Sequence, residues 1–130
     1  MGITHTKLRL SNPVRPDLAP LDCSALADTG ALHLCVPEHV ALQLGLMEQD
    51  KREVTLADGS KRLIPYVGPV RVAFEKRQCF VGAMVLGDEV LLSAIPMEDL
   101  DLVVRPMTRD VAVNPDSPNI PSAVAKGYRS

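Results

Sequence analysis

The residues able to do chemistry are few and close together. "LADTGALHLCVP" (26–37) sets one carboxylate, Asp28, inside a long apolar run, with Thr29, Gly30 and Ala31 directly after it. Asp-Thr-Gly is ordinary turn chemistry, because Asp bonds its own backbone and Gly takes positive φ freely. Surface turns usually sit among polar residues, yet this one has Ala25, Leu26 and Ala27 before it and Leu32 and Leu34 after it. Two readings stand: a turn former, or a carboxylate placed in a buried site. A second group, His33-x-Cys35-x-x-x-His39, has the donor types of a zinc site. His39 falls on the following helix, however, and no fourth ligand is in view. Glu98, Asp99 and Asp101 in "EDLD" resemble paired carboxylates and read better as a solvated helical turn.

The elements that must position these residues follow from periodicity. "THTKLRLSN" (4–12) alternates, with Leu8 and Leu10 on one face and Lys7 and Arg9 on the other, which predicts an amphipathic strand. "PVRPDLAP" (13–20) carries three prolines and is a loop. "LDCSALA" (21–27) leads into Asp28 as a mostly buried strand. "ALHLCVP" (31–37) alternates again, with His33 and Cys35 facing away from Leu32, Leu34 and Val36. The period then changes: Pro37 at a start, Val40, Ala41 and Leu44 apolar and Gly45 as a stop predict a helix of about two turns. After a charged linker, 52–74 reads as two strands around Asp58-Gly59, a strong hairpin signal. A strand over 77–87 follows, then a buried strand, a short helical turn and an exit strand over 89–106. Met84, Met97 and Met107 read as gap-filling core. From Pro106 the chain turns rich in Pro and Asn, and "VAV" (111–113) can pair as an edge strand. The expected fold is mainly β: a small closed barrel with one or two short helices.

The chain has 130 residues, which suits one domain, and 46% of them are hydrophobic. Only 3% are aromatic and none is Trp, so the core must be aliphatic. A formal net charge of −2 gives no reason to expect nucleic acid or an anionic membrane as partner. No apolar run approaches the roughly 20 residues that span a bilayer, and "MGITHTKLRL" lacks the apolar stretch of a signal peptide. Its Met-Gly-x-x-x-Thr pattern formally matches a myristoylation site, without a polybasic patch beside it. Cys23, Cys35 and Cys79 cannot all pair within one chain, so free thiols and a cytoplasmic location are expected.

The order of these elements resembles the retropepsin family, the single-domain half of the aspartic proteases. More narrowly, it is similar to small prokaryotic proteins of that clan. The resemblance is carried by "ALADTGA" (25–31), the flap-like "VTLADGS" (54–60) and "VLGDEVLLSAIPMEDLDLVV" (85–104), and it spans roughly residues 4 to 106. One position departs from the pattern. The apolar pair of the second motif is usually followed by Gly, and here Leu91 and Leu92 are followed by Ser93. Its hydroxymethyl group must be accommodated behind the Asp28 loop.

The resemblance implies a protease domain over 1–106 and a Pro/Asn-rich tail over 107–130 whose candidate place is a dimer interface. It implies an aspartic endopeptidase acting on polypeptide as a homodimer, with no metal and no organic cofactor. Carboxylates that hydrolyse peptides work as a close pair sharing one proton; like charges about 3 Å apart cannot both ionise, so one acts as base toward a water while the other donates to the carbonyl. Asp-Thr-Gly occurs once, and "ADGS" (57–60) is no second copy, so the pair requires a second chain, which a two-fold dimer supplies. Asp28 is then the paired carboxylate, Thr29 bonds across the axis and Gly30 allows the tight turn. Ala31 lines the substrate side, and Ala57, Asp58, Gly59 and Ser60 form the flap over substrate. The alternatives are a catalytically impaired, peptide-binding dimer on the same barrel, and a metal-binding barrel on His33, Cys35 and His39.

Overall fold

The computed structural model describes residues 3–125. The Met1–Gly2 lipidation pattern and the end of the tail lie outside them. The elements in chain order are β1 (His5–Ser11), β2 (Leu21–Ala27), β3 (Leu34–Val36), α1 (Glu38–Gln43), β4 (Met47–Thr55), β5 (Lys61–Phe74), β6 (Arg77–Val85), β7 (Leu91–Leu92), α2 (Ala94–Leu100), β8 (Leu102–Arg105) and β9 (Asp110–Val113). β1 pairs antiparallel with β2, with Leu8 opposite Cys23 and Leu10 opposite Leu21. β2 runs parallel to β7, β7 antiparallel to β3, and β3 parallel to β6. The long β5 pairs with β6 on one side and closes onto β1. Six strands thus form a closed ring, with β4 attached to β5 as an edge.

Alternation on β1 works as the pattern predicts: Leu8 and Leu10 are buried while Lys7 and Arg9 face water. The core is aliphatic, with Leu10, Leu34, Val36, Leu44, Val70, Val72, Leu92 and Leu100 all fully enclosed, and Phe74 is its one aromatic member. Buried Asn12 ties the proline loop to the end of α1, its amide donating to the carbonyls of Leu44 (3.0 Å) and Gly45 (3.2 Å). Gly45 stops α1 in the left-handed region, at φ 61°. Among the described residues no helix is long and apolar enough to cross a membrane.

Four local expectations are corrected. The strand after Asp28 is only Leu34–Val36 and all three residues are buried, because β3 lies between β6 and β7 with α2 packed on it. Alternation cannot show in a strand covered on both faces. β2 is not mostly buried, since Asp22 and Ser24 point outward. The charged linker is β4, whose Glu48, Asp50, Lys51, Arg52 and Glu53 mark it as an edge strand protected by charge. Met107 is no core filler but is 95% exposed at the turn between β8 and β9.

Candidate active site

Asp28 stands where β2 ends. Its N–H donates to the Leu92 carbonyl (2.9 Å), and the two residues before it are held by Val90 and Thr4 carbonyls. β2 is therefore gripped on both sides up to the last peptide before the carboxylate. Asp28 Oδ1 accepts the Gly30 N–H at 3.0 Å, so the side chain does bond its own turn. This leaves Oδ2 free of protein donors among the described residues. Gly30 leaves room beside the carboxylate: it does not adopt positive φ, and a Cβ there would press on Asp28 Oδ1 at 3.2 Å. Asp28 is half-buried, and Thr29 and Gly30 are exposed.

A cavity of about 420 Å³ opens on this carboxylate, lined by Thr4, Ala27, Asp28, Thr29, Val104, Pro106 and Arg109. Asp28 is its only acid. A larger cavity, about 640 Å³, lies away from Asp28 along Lys7–Arg9, Asp22–Ser24, Ala73 and Glu75. Its carboxylate at Asp22 is engaged by Arg9 at 2.7 Å, and Arg9 holds that carboxyl below the usual range. The smaller cavity is the one that opens on Asp28.

From behind, the loop is held by the start of α2. Ala94 N–H donates to the Ala31 carbonyl (2.9 Å), Ile95 N–H to that of Leu32 (3.0 Å), and the Ser93 hydroxyl to that of His33. Ser93 is completely buried and its oxygen also lies 3.2 Å from the Leu91 carbonyl. The extra hydroxymethyl group therefore fits, and it is bonded.

The hairpin of β4 and β5 carries the other expected residues at its tip. Leu56 N–H donates to Ser60 O (2.8 Å) and Gly59 N–H to Leu56 O (2.9 Å). The Ser60 hydroxyl, then its N–H, bond Asp58 Oδ1 and hold that carboxyl below the usual carboxylate range. Ala57, Asp58, Gly59 and Ser60 are all exposed, and among the described residues none bonds the Asp28 loop. Gly59 has φ 87° with no atom near its missing Cβ, so its demand is conformational. A left-handed non-glycine residue costs roughly 1–2 kcal/mol, least for Asn. Gly59→Asn should accordingly leave the melting temperature nearly unchanged, while Gly59→Val should deform the tip and lower it. If the tip covers substrate, turnover falls with Val and survives with Asn; equal turnover in both would make this an ordinary hairpin.

Sequence reasoning missed the contact joining loop and hairpin. The His33 ring meets Tyr66 edge-on at 5.7 Å, and the Arg52 guanidinium lies 4.2 Å over the Tyr66 ring. Tyr66 lies across Gly82, where a Cβ would fall 2.1 Å from its hydroxyl oxygen. A lone Gly inside the strand pattern "RQCFVGAMV" was the available signal.

The zinc reading does not survive. His33 packs on Tyr66, Cys35 is buried with its Sγ 3.5 Å from the His33 carbonyl, and His39 is exposed in a separate groove with Glu38 and Asp88. Among the described residues no three His, Cys, Asp or Glu side chains converge on a metal position. Burial, then the Asp28 charge, pushes the Cys35 thiol up; burial, then Asp99, pushes Cys79 up to about 12. All three cysteines are free. "EDLD" is only partly a solvated turn, because Asp101 turns inward at the end of α2 and binds the tail.

The barrel has a retropepsin-like fold. The retroviral protease-like domain of Ddi1 from Leishmania major superposes with a TM-score of 0.56 over 88% of this chain and 91% of that one, at 10% identity. The simian foamy virus protease covers 71% of this chain and 91% of its own at 16% identity, with a TM-score of 0.46. A retropepsin-like aspartic protease from Rickettsia conorii covers 71% and 67% at 19% identity, also with a TM-score of 0.46. No protein-family model and no curated protein matches the chain. At such identities the likeness is one of fold, and it rests on the Ddi1 domain.

Proposed function

We propose that this chain is an aspartic endopeptidase, active in the cytoplasm as a homodimer in which each copy contributes Asp28 to one carboxylate pair. The observation that carries the proposal is Asp28 itself, gripped by two neighbouring segments and opening onto a cavity that contains no other acid. One carboxylate cannot act on a peptide as base and acid at once, so the partner must come from a second copy. The faces around the cavity suit such docking: Ile3, beside the lining residue Thr4, is 70% exposed, and Met107, beside Pro106, is 95% exposed.

In this mechanism the ionised carboxylate takes a proton from a bound water, and the protonated one donates to the scissile carbonyl oxygen as the water attacks. Thr29 bonds across the axis to the partner loop. Gly30 and Ala31 keep the approach to the carboxylates narrow and free of bulk. Ala57 to Ser60 close over an extended polypeptide, whose main chain pairs with strand edges. The chemistry needs no metal or organic cofactor, and neither nucleic acid nor membrane is a partner. In this reading the domain spans 1–106 together with β9, which pairs with β8 and buries Val111, and the segment after β9 packs towards the dimer interface.

The test is the mass in solution across micromolar concentrations, measured alongside cleavage of a denatured protein mixture. A dimer that cleaves is expected. A monomer throughout would overturn the reading, since no single chain holds the pair.

A further inference from the structure

Three successive carbonyls of the Asp28 loop, those of Ala31, Leu32 and His33, each accept a hydrogen bond from the start of α2. Two donors are backbone N–H groups that any sequence would supply. The third is the Ser93 hydroxyl, which only this side chain provides. Ser93 occupies the N-cap position of α2, where a serine oxygen ordinarily accepts an N–H of the first turn. Here it makes no such cap bond, because Ile95 N–H already points at Leu32 O. The hydroxyl is left to reach the loop.

We infer that Ser93 is a positioning residue for Asp28, its hydroxyl fixing the last peptide of the loop that presents the carboxylate. The His33 carbonyl is drawn inward to Ser93, and the His33 ring lies outward on Tyr66 of the flap-bearing hairpin. Ser93 thus anchors a residue that joins the loop to the hairpin. The site is fully enclosed, so water does not replace the hydroxyl when it is removed. The bond to His33 ends on loop backbone, and the β1–β5 and β5–β6 ladders do not run through it. The structural part stands on these contacts; its meaning for catalysis rests on the peptidase reading of Asp28.

The test compares wild type with Ser93→Ala and Ser93→Gly by amide hydrogen exchange and by steady-state cleavage. Exchange at Gly30, Ala31, Ala94 and Ile95 should rise about tenfold or more in both variants, while amides of β5 and β6 stay within about twofold. kcat should fall about tenfold or more with KM within about twofold, because a displaced carboxylate binds substrate normally and reacts poorly. Unchanged exchange in the loop overturns the inference. Uniform loosening of the whole barrel also overturns it, since that marks mere core packing. If wild type shows no cleavage that Asp28→Asn removes, the peptidase reading fails and the exchange result still decides the role of Ser93.

Discussion

Asp28→Asn should reduce peptide cleavage by about a thousandfold or more while leaving the fold intact. General acid–base transfer by a placed side chain contributes about 10²–10⁴ in rate, and here the same residue supplies both partners of the pair. A carboxamide can neither take the proton from water nor cycle between acid and base. Its Oδ1 can still accept the Gly30 N–H that Asp28 accepts at 3.0 Å, so the turn should hold and the melting temperature should stay close to wild type. A second measurement is sharper. If every site needs two Asp28 side chains, equal amounts of wild type and Asp28→Asn, allowed to exchange subunits, should retain about a quarter of the activity. An enzyme acting within one chain would retain about half. A value near one half, or an active Asp28→Asn, would dismiss the dyad.

The barrel was legible because its signals are local. Leu8 and Leu10 alternate with Lys7 and Arg9, Asp58-Gly59 marks a tight hairpin, and Pro37 and Gly45 bracket α1. Asp28 was legible for a different reason, as a charged residue where an apolar strand predicts none. What could not be read depends on contacts distant in sequence. β3 loses its alternation because Leu34 and Val36 face the barrel core while α2 packs against the strand, which no window of its own residues reveals. The partner of Ser93, the His33 carbonyl, lies 60 residues away in sequence, so its hydroxyl's bond leaves no local signal. Arg77 gave no signal at all, since a lone arginine opening a strand ordinarily faces water.

Arg77→Ala should be strongly destabilising, lowering the melting temperature by roughly 10 °C for a loss of about 3 kcal/mol. Its side chain is only 5% exposed. It donates to the carbonyls of Leu100 (3.0 Å) and Asp101 (2.9 Å) at the end of α2, and to that of Ser117 in the tail. Removal takes that donor from the buried Leu100 carbonyl and from Ser117, while the Asp101 carbonyl keeps the Asn114 N–H (3.0 Å), and lysine, with one nitrogen, cannot span all three. The same point holds the tail through Asp101, whose carboxylate accepts Asn114 Nδ2 (3.1 Å), the Ser117 hydroxyl and Ser122 N–H (2.8 Å). The Ser117 hydroxyl, then Ser122 N–H and Asn114, with the Arg77 charge last, hold the Asp101 carboxyl below the usual carboxylate range. A depressed value in the folded state means stability that is present above the ordinary value of about 3.9 and is lost as pH falls through the lower, folded one. Thermal unfolding of wild type and Asp101→Asn should therefore differ at pH 7 and converge as the pH drops below about 4. Arg77→Ala should remain unstable at both pH values, and added protease should cut it within 114–122 where wild type resists. If Arg77→Ala melts with wild type, or if the Asp101→Asn difference widens on acidification, the clamp does not hold the tail.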